Sequence, residues 1–122
     1  MAIKEYKIDY DFKAEIIVEI DHDIANEASL HEINNFWSDS QFRLSSENSV
    51  LDAVLKMLAQ QILIIQTYHG YTLDGVLSLF DWNRNGGQEG WPSLDGSPGI
   101  KLTSVDTFEF DESDMSISEI NG

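Results

Sequence analysis

Ile8-Asp9-Tyr10-Asp11-Phe12-Lys13-Ala14-Glu15-Ile16-Ile17-Val18-Glu19-Ile20 is the stretch on which the reading of the fold depends. Its even positions carry Ile8, Tyr10, Phe12, Ala14, Ile16, Val18 and Ile20, and its odd positions carry Asp9, Asp11, Lys13, Glu15, Ile17 and Glu19. Successive side chains on a strand point to opposite faces, so this alternation predicts one long strand from Ile8 to Ile20, buried on one side and wet on the other. Parallel strands are usually covered on both faces, so a strand with one wet face predicts an antiparallel sheet.

Outward from this strand the periodicity changes. Ser29-Leu30-His31-Glu32 has the form of a capping box, and Leu30, Ile33 and Trp37 follow at helical spacing, which predicts a helix over residues 27–37. The polar run Ser38 to Asn48 reads as a loop. Val50 to Gln66 is the clearest helix, with Leu51, Val54, Leu55, Leu58, Ile62 and Ile65 along one side and Asp52, Lys56 and Gln60 in a narrow polar line. Gly70 suits its C-terminal stop. Asp74-Gly75 reads as a turn, and the alternation from Val76 to Trp82 as a second strand. Residues 83–99 are rich in glycine and hold both prolines, which predicts a long loop. Ile100 to Val105 reads as a third strand, with Thr107 to Phe110 or Met115 to Ile120 as a fourth. The order β-α-α-β-β predicts an α+β fold over residues 1–122 as a single domain: an antiparallel sheet of three to four strands with two helices packed on one face.

Seven Lys and Arg stand against 22 Asp and Glu, a formal charge of -15. Such a charge repels phosphate backbones and anionic lipid surfaces and attracts basic partners, so direct nucleic-acid binding is not expected and a protein with a basic surface is. The chain has no cysteine, which excludes disulfides, thiolate nucleophiles and thiolate metal centres. Residues Met1 to Asp9 have no apolar core of a signal peptide, and the apolar stretch Met57 to Ile65 is interrupted by Gln60 and Gln61, so the expectation is a cytoplasmic protein without membrane contact.

Few constellations point to chemistry. Asp81-Trp82-Asn83-Arg84-Asn85-Gly86 matches the opening of a calcium loop, but Pro92 stands where a bidentate glutamate is needed and Arg84 sits among the ligands. A weak calcium or ligand site over Asp81 to Asp95 is therefore an alternative rather than the expectation; no metal or cofactor is expected. His22, His31 and His69 lie in separate segments, and no acid pair stands out among 22 carboxylates, so no catalytic residue is assigned and the protein is not expected to be an enzyme.

The candidate residues for partner binding are of two kinds. Asp9, Asp11, Glu15 and Glu19 share the wet side of the first strand, with Asp106, Glu109, Asp111, Glu112 and Asp114 as a second acidic set near the C-terminus. Trp82 and Trp91 are large apolar residues within the loop, suited either to anchor an interface or to fold back and tie the loop down.

Tyr10-Asp11-Phe12-Lys13-Ala14-Glu15, Glu32-Ile33-Asn34-Asn35-Phe36-Trp37-Ser38-Asp39, and Phe80-Asp81-Trp82-Asn83 through Gly90-Trp91-Pro92 resemble a small family of acidic bacterial and mobile-element proteins with no assigned activity. The resemblance spans most of the chain and implies a gene carried by a phage, plasmid or genomic island. Small acidic proteins of such elements often inhibit nucleic-acid-binding defences, an analogy independent of fold. The expectation is thus a non-enzymatic acidic binding protein, an inhibitor of a host restriction or CRISPR complex that mimics nucleic acid on a basic protein surface. The alternative is a small accessory or structural protein that pairs as a homodimer through its sheet.

Overall fold

The computed structural model describes residues 2–84, 86–106 and 111–120. Two strands, β1 (Ile3–Tyr10) and β2 (Ala14–Asp21), stand where one long strand was expected. Between them Asp11 and Phe12 both have positive φ, at 50° and 59°, and the Lys13 N–H donates to the Tyr10 carbonyl at 2.8 Å. Positive φ at both central positions is the type I′ turn, whose twist matches that of a hairpin. The Asp9 carboxylate secures it by accepting the Phe12 N–H at 2.9 Å. In the β1–β2 ladder Tyr6 lies opposite Val18 and Ile8 opposite Ile16. Even residues therefore always face even residues, and the alternation passes through the turn without a break.

Phe12 is 94% exposed while holding a left-handed backbone that costs an L-residue about 1 kcal/mol. Phe12→Gly is accordingly expected to stabilise the fold by about 1 kcal/mol, read as a higher urea midpoint at unchanged m-value.

The third strand, β3 (Ile100–Val105), has the bounds expected and pairs antiparallel with β2, giving the order β1-β2-β3. A bulge between Ile17 and Val18 leaves Thr103 as the extra residue, and its hydroxyl donates to the Ile17 carbonyl at 3.2 Å. The Met115 to Ile120 stretch forms no strand: a single 3-10 turn, Glu112–Asp114, precedes it and the rest has no regular structure. The other expected fourth strand, Thr107 to Phe110, lies outside the described residues.

Four helices are described where two were expected. The first, α1 (Glu27–Phe36), is capped by Asn26, whose side chain accepts the Ser29 N–H, so Ser29 lies inside the helix and the capping-box reading is displaced by three residues. Residues 38–48 contain α2 (Ser40–Ser46) rather than only loop. The long helix α3 (Val50–His69) starts at a Ser49 cap and ends at Gly70 in the left-handed conformation, as its sequence predicts. The last, α4 (Leu73–Phe80), occupies the segment read as a second strand. Val76 and Phe80 are four residues apart, a spacing that puts side chains on one face of a strand and of a helix alike. Local chemistry decides for the helix, because the Thr72 hydroxyl accepts the Gly75 N–H and Asp74 sits in the first turn, where acids are favoured.

Ile16, Val18, Ile20, Ile100 and Leu102 on the inner sheet face form one core with Leu30, Val54, Leu58, Ile62, Val76 and Phe80 of the helices. Helix α3 is long and apolar enough, by length and composition, to cross a membrane, and half of its apolar window is buried in this core.

Candidate protein-binding surface

With the helices on the even face of the sheet, the odd face is left to solvent. Two of its directly opposed pairs are like-charged: Glu5 lies opposite Glu19, and Asp9 opposite Glu15. Side chains so opposed are about 5 Å apart at Cβ, and like charges there destabilise a sheet. Relief is partial. Lys7 approaches Glu15 at 3.7 Å, both side chains about half exposed, and Lys101 stands opposite Glu19 on β3. An exposed pair of this kind contributes at most about 1 kcal/mol.

Asp106 joins this face. Its carboxylate accepts the Glu15 N–H at 2.9 Å and its own N–H donates to the Glu15 carbonyl at 3.0 Å, so it extends the β2–β3 edge. The structure thus brings together Asp9, Glu15, Glu19 and Asp106 from the candidate set. Asp11 sits apart, in the hairpin turn. Asp111, Glu112 and Asp114 belong to the exposed C-terminal turn, and Glu109 lies outside the described residues. The Ser113 N–H, and after it the Ser113 side chain, donate to the Asp111 carboxylate and hold it below its ordinary pKa of 3.8. Glu5 also stands on this face although the predicted strand begins only at Ile8; the alternation of Lys4, Tyr6 and Ile8 against Glu5, Lys7 and Asp9 carries the same signal back to it.

The two tryptophans do not reach this face. Trp91 is 4% exposed and packs at 6.0 Å against Trp37, the residue that follows α1, on the helical side, so its ring ties the loop down rather than offering area to a partner. Trp82 is half exposed, but its indole N–H donates to the Trp91 carbonyl at 2.7 Å. Gly90 allows this packing: a Cβ there would stand 2.5 Å from the Phe36 ring and would be strained at φ +85°.

The calcium-like loop is used locally. Asp81 accepts the Asn83 N–H at 2.8 Å, and Asp95 accepts both the Ser97 hydroxyl at 2.6 Å and the Ser97 N–H at 2.9 Å. Among the described residues no group of three or more His, Asp or Glu is placed to hold a metal ion. The Ser97 hydroxyl, and after it the Ser97 N–H, hold the Asp95 carboxyl below its ordinary value of 3.8. A depressed acid contributes stability that is whole above its unfolded-state value and is lost as pH falls through the folded-state value. Ser97→Ala is therefore expected to raise the Asp95 pKa toward 3.8 and to move the acid limb of the stability curve upward, as followed by NMR titration and urea unfolding below pH 4.

Fold and surface together define an acidic α+β protein with an uncovered, carboxylate-lined sheet face. The chain belongs to the family described as protein of unknown function DUF2528, whose model matches residues 15–117. It is 56% identical over 116 residues to Protein ea10 of Escherichia phage lambda, covering 94% of this chain and 95% of that protein. The same identity and coverage hold for the lambda prophage-derived protein ea10 of Escherichia coli O6:H1. No solved structure matches the chain. The mobile-element family that the sequence resembles is thus the family to which it belongs.

Proposed function

We propose that this is a non-enzymatic binding protein whose outer sheet face engages a basic surface of another protein, and that the target is a host defence complex that handles nucleic acid. The carrying observation is the two like-charged cross-strand pairings, Glu5 opposite Glu19 and Asp9 opposite Glu15, on a face that no helix covers among the described residues. Such pairs lower the stability of the free protein, and a cationic partner would relieve them. The phage and prophage setting of the relatives supports the choice of target.

Two double variants test the reading: Glu5→Gln with Glu19→Gln, and Asp9→Asn with Glu15→Gln. Each is expected to stabilise the free fold by up to about 1 kcal/mol. Each is also expected to reduce capture of the partner from host lysate at least tenfold, with the wild-type capture falling as salt rises. Capture indifferent to both salt and these substitutions would refute the proposal.

A further inference from the structure

On α3, residues four apart form one outward ridge: Asp52, Lys56, Gln60, Ile64 and Tyr68. It begins polar and ends apolar, with Ile64 56% and Tyr68 84% exposed. Beside it lies a groove of about 1240 Å³, bounded by Met57, Leu63, Ile64 and Tyr68 of α3 and by Ile8 and Tyr10 of β1. Strand β1 is an edge of the sheet and takes no further strand on its outer side among the described residues. An apolar groove under an open strand edge is the geometry that receives an added strand, whose backbone bonds to the edge while alternate side chains enter the groove.

The charge of this region differs from that of the rest of the chain. Strand β1 and the groove lining hold four of the seven cations, Lys4, Lys7, Arg43 and Lys56, against three acids, Glu5, Asp9 and Glu47. Everything else carries three cations and nineteen acids. An acidic segment meets less net negative charge here than over the rest of the chain, with Asp52 of α3 as a further acid beside β1.

The chain contains one such segment. Residues 111–120 are exposed throughout, bear Asp111, Glu112, Asp114 and Glu119 without a cation, and contain no proline to interrupt strand pairing. Met115 and Ile117 are 66% and 100% exposed, and two residues apart on an extended chain they project to the same side, about 6.7 Å from each other. In this structure the segment does not cover its own groove, since all ten residues remain open to solvent.

We propose that the C-terminal segment Asp111 to Ile120 of one copy of this chain docks along β1 of a second copy, with Met115 and Ile117 in its groove. Reciprocal exchange closes a two-fold dimer, and each copy fills the other's groove. This interface uses the edge and groove of β1, whose Glu5 and Asp9 also belong to the outer sheet face, so the two surfaces adjoin and are told apart by substituting Met115 and Ile117 here and the acids there.

The absence of cysteine makes a direct test available. In a chain carrying Ile117→Cys and Ile64→Cys, mild oxidation is expected to give a disulfide between two chains on a non-reducing gel. Sedimentation of the otherwise unaltered chain is expected to show a monomer–dimer equilibrium. Met115→Asp with Ile117→Asp, which changes only exposed side chains, is expected to raise the dimer dissociation constant at least a hundredfold while leaving the melting temperature of the monomer unchanged. A disulfide confined to one chain would show that the segment covers its own groove and would overturn the proposal. So would a monomer at all concentrations, or a dimer indifferent to the two aspartates.

Discussion

Replacing Phe80 with alanine is expected to destabilise the protein by about 3–5 kcal/mol, the cost of emptying a fully buried aromatic site. Phe80 closes the last turn of α4, is wholly inaccessible, and belongs to the core formed with the inner sheet face. Domains of this size are commonly stable by only about 5–15 kcal/mol, so the variant is expected to unfold tens of degrees lower or to be unfolded at body temperature. Phe42→Ala provides the control. Its ring is exposed on α2, and its loss is expected to shift stability by less than about 0.5 kcal/mol. Thermal melts followed by far-UV circular dichroism decide both. A Phe80→Ala protein melting within a few degrees of the parent would mean that α4 does not pack as described.

The same residue shows why part of the fold was legible and part was not. Val76 and Phe80 share one side of the strand that the sequence predicts and one face of the helix that forms instead, because a spacing of four satisfies strand and helix periods together. What separated the two was a backbone event, the Thr72 cap, which outweighs a glycine two residues into the first turn. The hairpin was hidden for a related reason. A three-residue connection pairs residues of equal parity, and the two turn positions that needed positive φ are occupied by Asp11 and Phe12 instead of the expected asparagine and glycine. Long, strongly periodic elements carried their own evidence: α3 and β3 lie where their patterns put them. The surface was legible only one strand at a time. That Asp9 and Glu19 face water follows from alternation, whereas their opposition to Glu15 and Glu5 exists only once the ladder register is known.

Arg43→Ala is expected to cost about 2–4 kcal/mol, although Arg43 is only partly buried, because of what its guanidinium satisfies. Its Nε donates to the Asn34 side-chain oxygen at 2.8 Å, and its terminal nitrogens reach the carbonyls of Asn34, Trp37 and Ser38. Asn34 is fully buried in α1, and its amide in turn donates to the Ser40 carbonyl at 3.3 Å. One planar fork therefore closes the C-terminus of α1, where carbonyls lack helical partners, and pins α2 beneath it. A lysine keeps the charge but presents a single ammonium, so Arg43→Lys is expected to lose about 2 kcal/mol. Exchanging both side chains, Asn34→Leu with Arg43→Met, removes the side-chain pair but leaves the carbonyls of Asn34, Trp37, Ser38 and Ser40 without these donors, so it is expected to cost at least as much as Arg43→Ala. Urea midpoints for Asn34→Leu, Arg43→Met and the two combined close a cycle that isolates the Asn34–Arg43 pair. The consequence reaches the groove, because α2 carries Arg43 in its wall, and Glu47 at its end pairs with Lys56 of α3 at 2.6 Å. Loss of the fork should therefore weaken chain pairing beyond what the loss of stability alone accounts for. A variant that is destabilised yet pairs with unchanged affinity while folded would place the docking surface elsewhere.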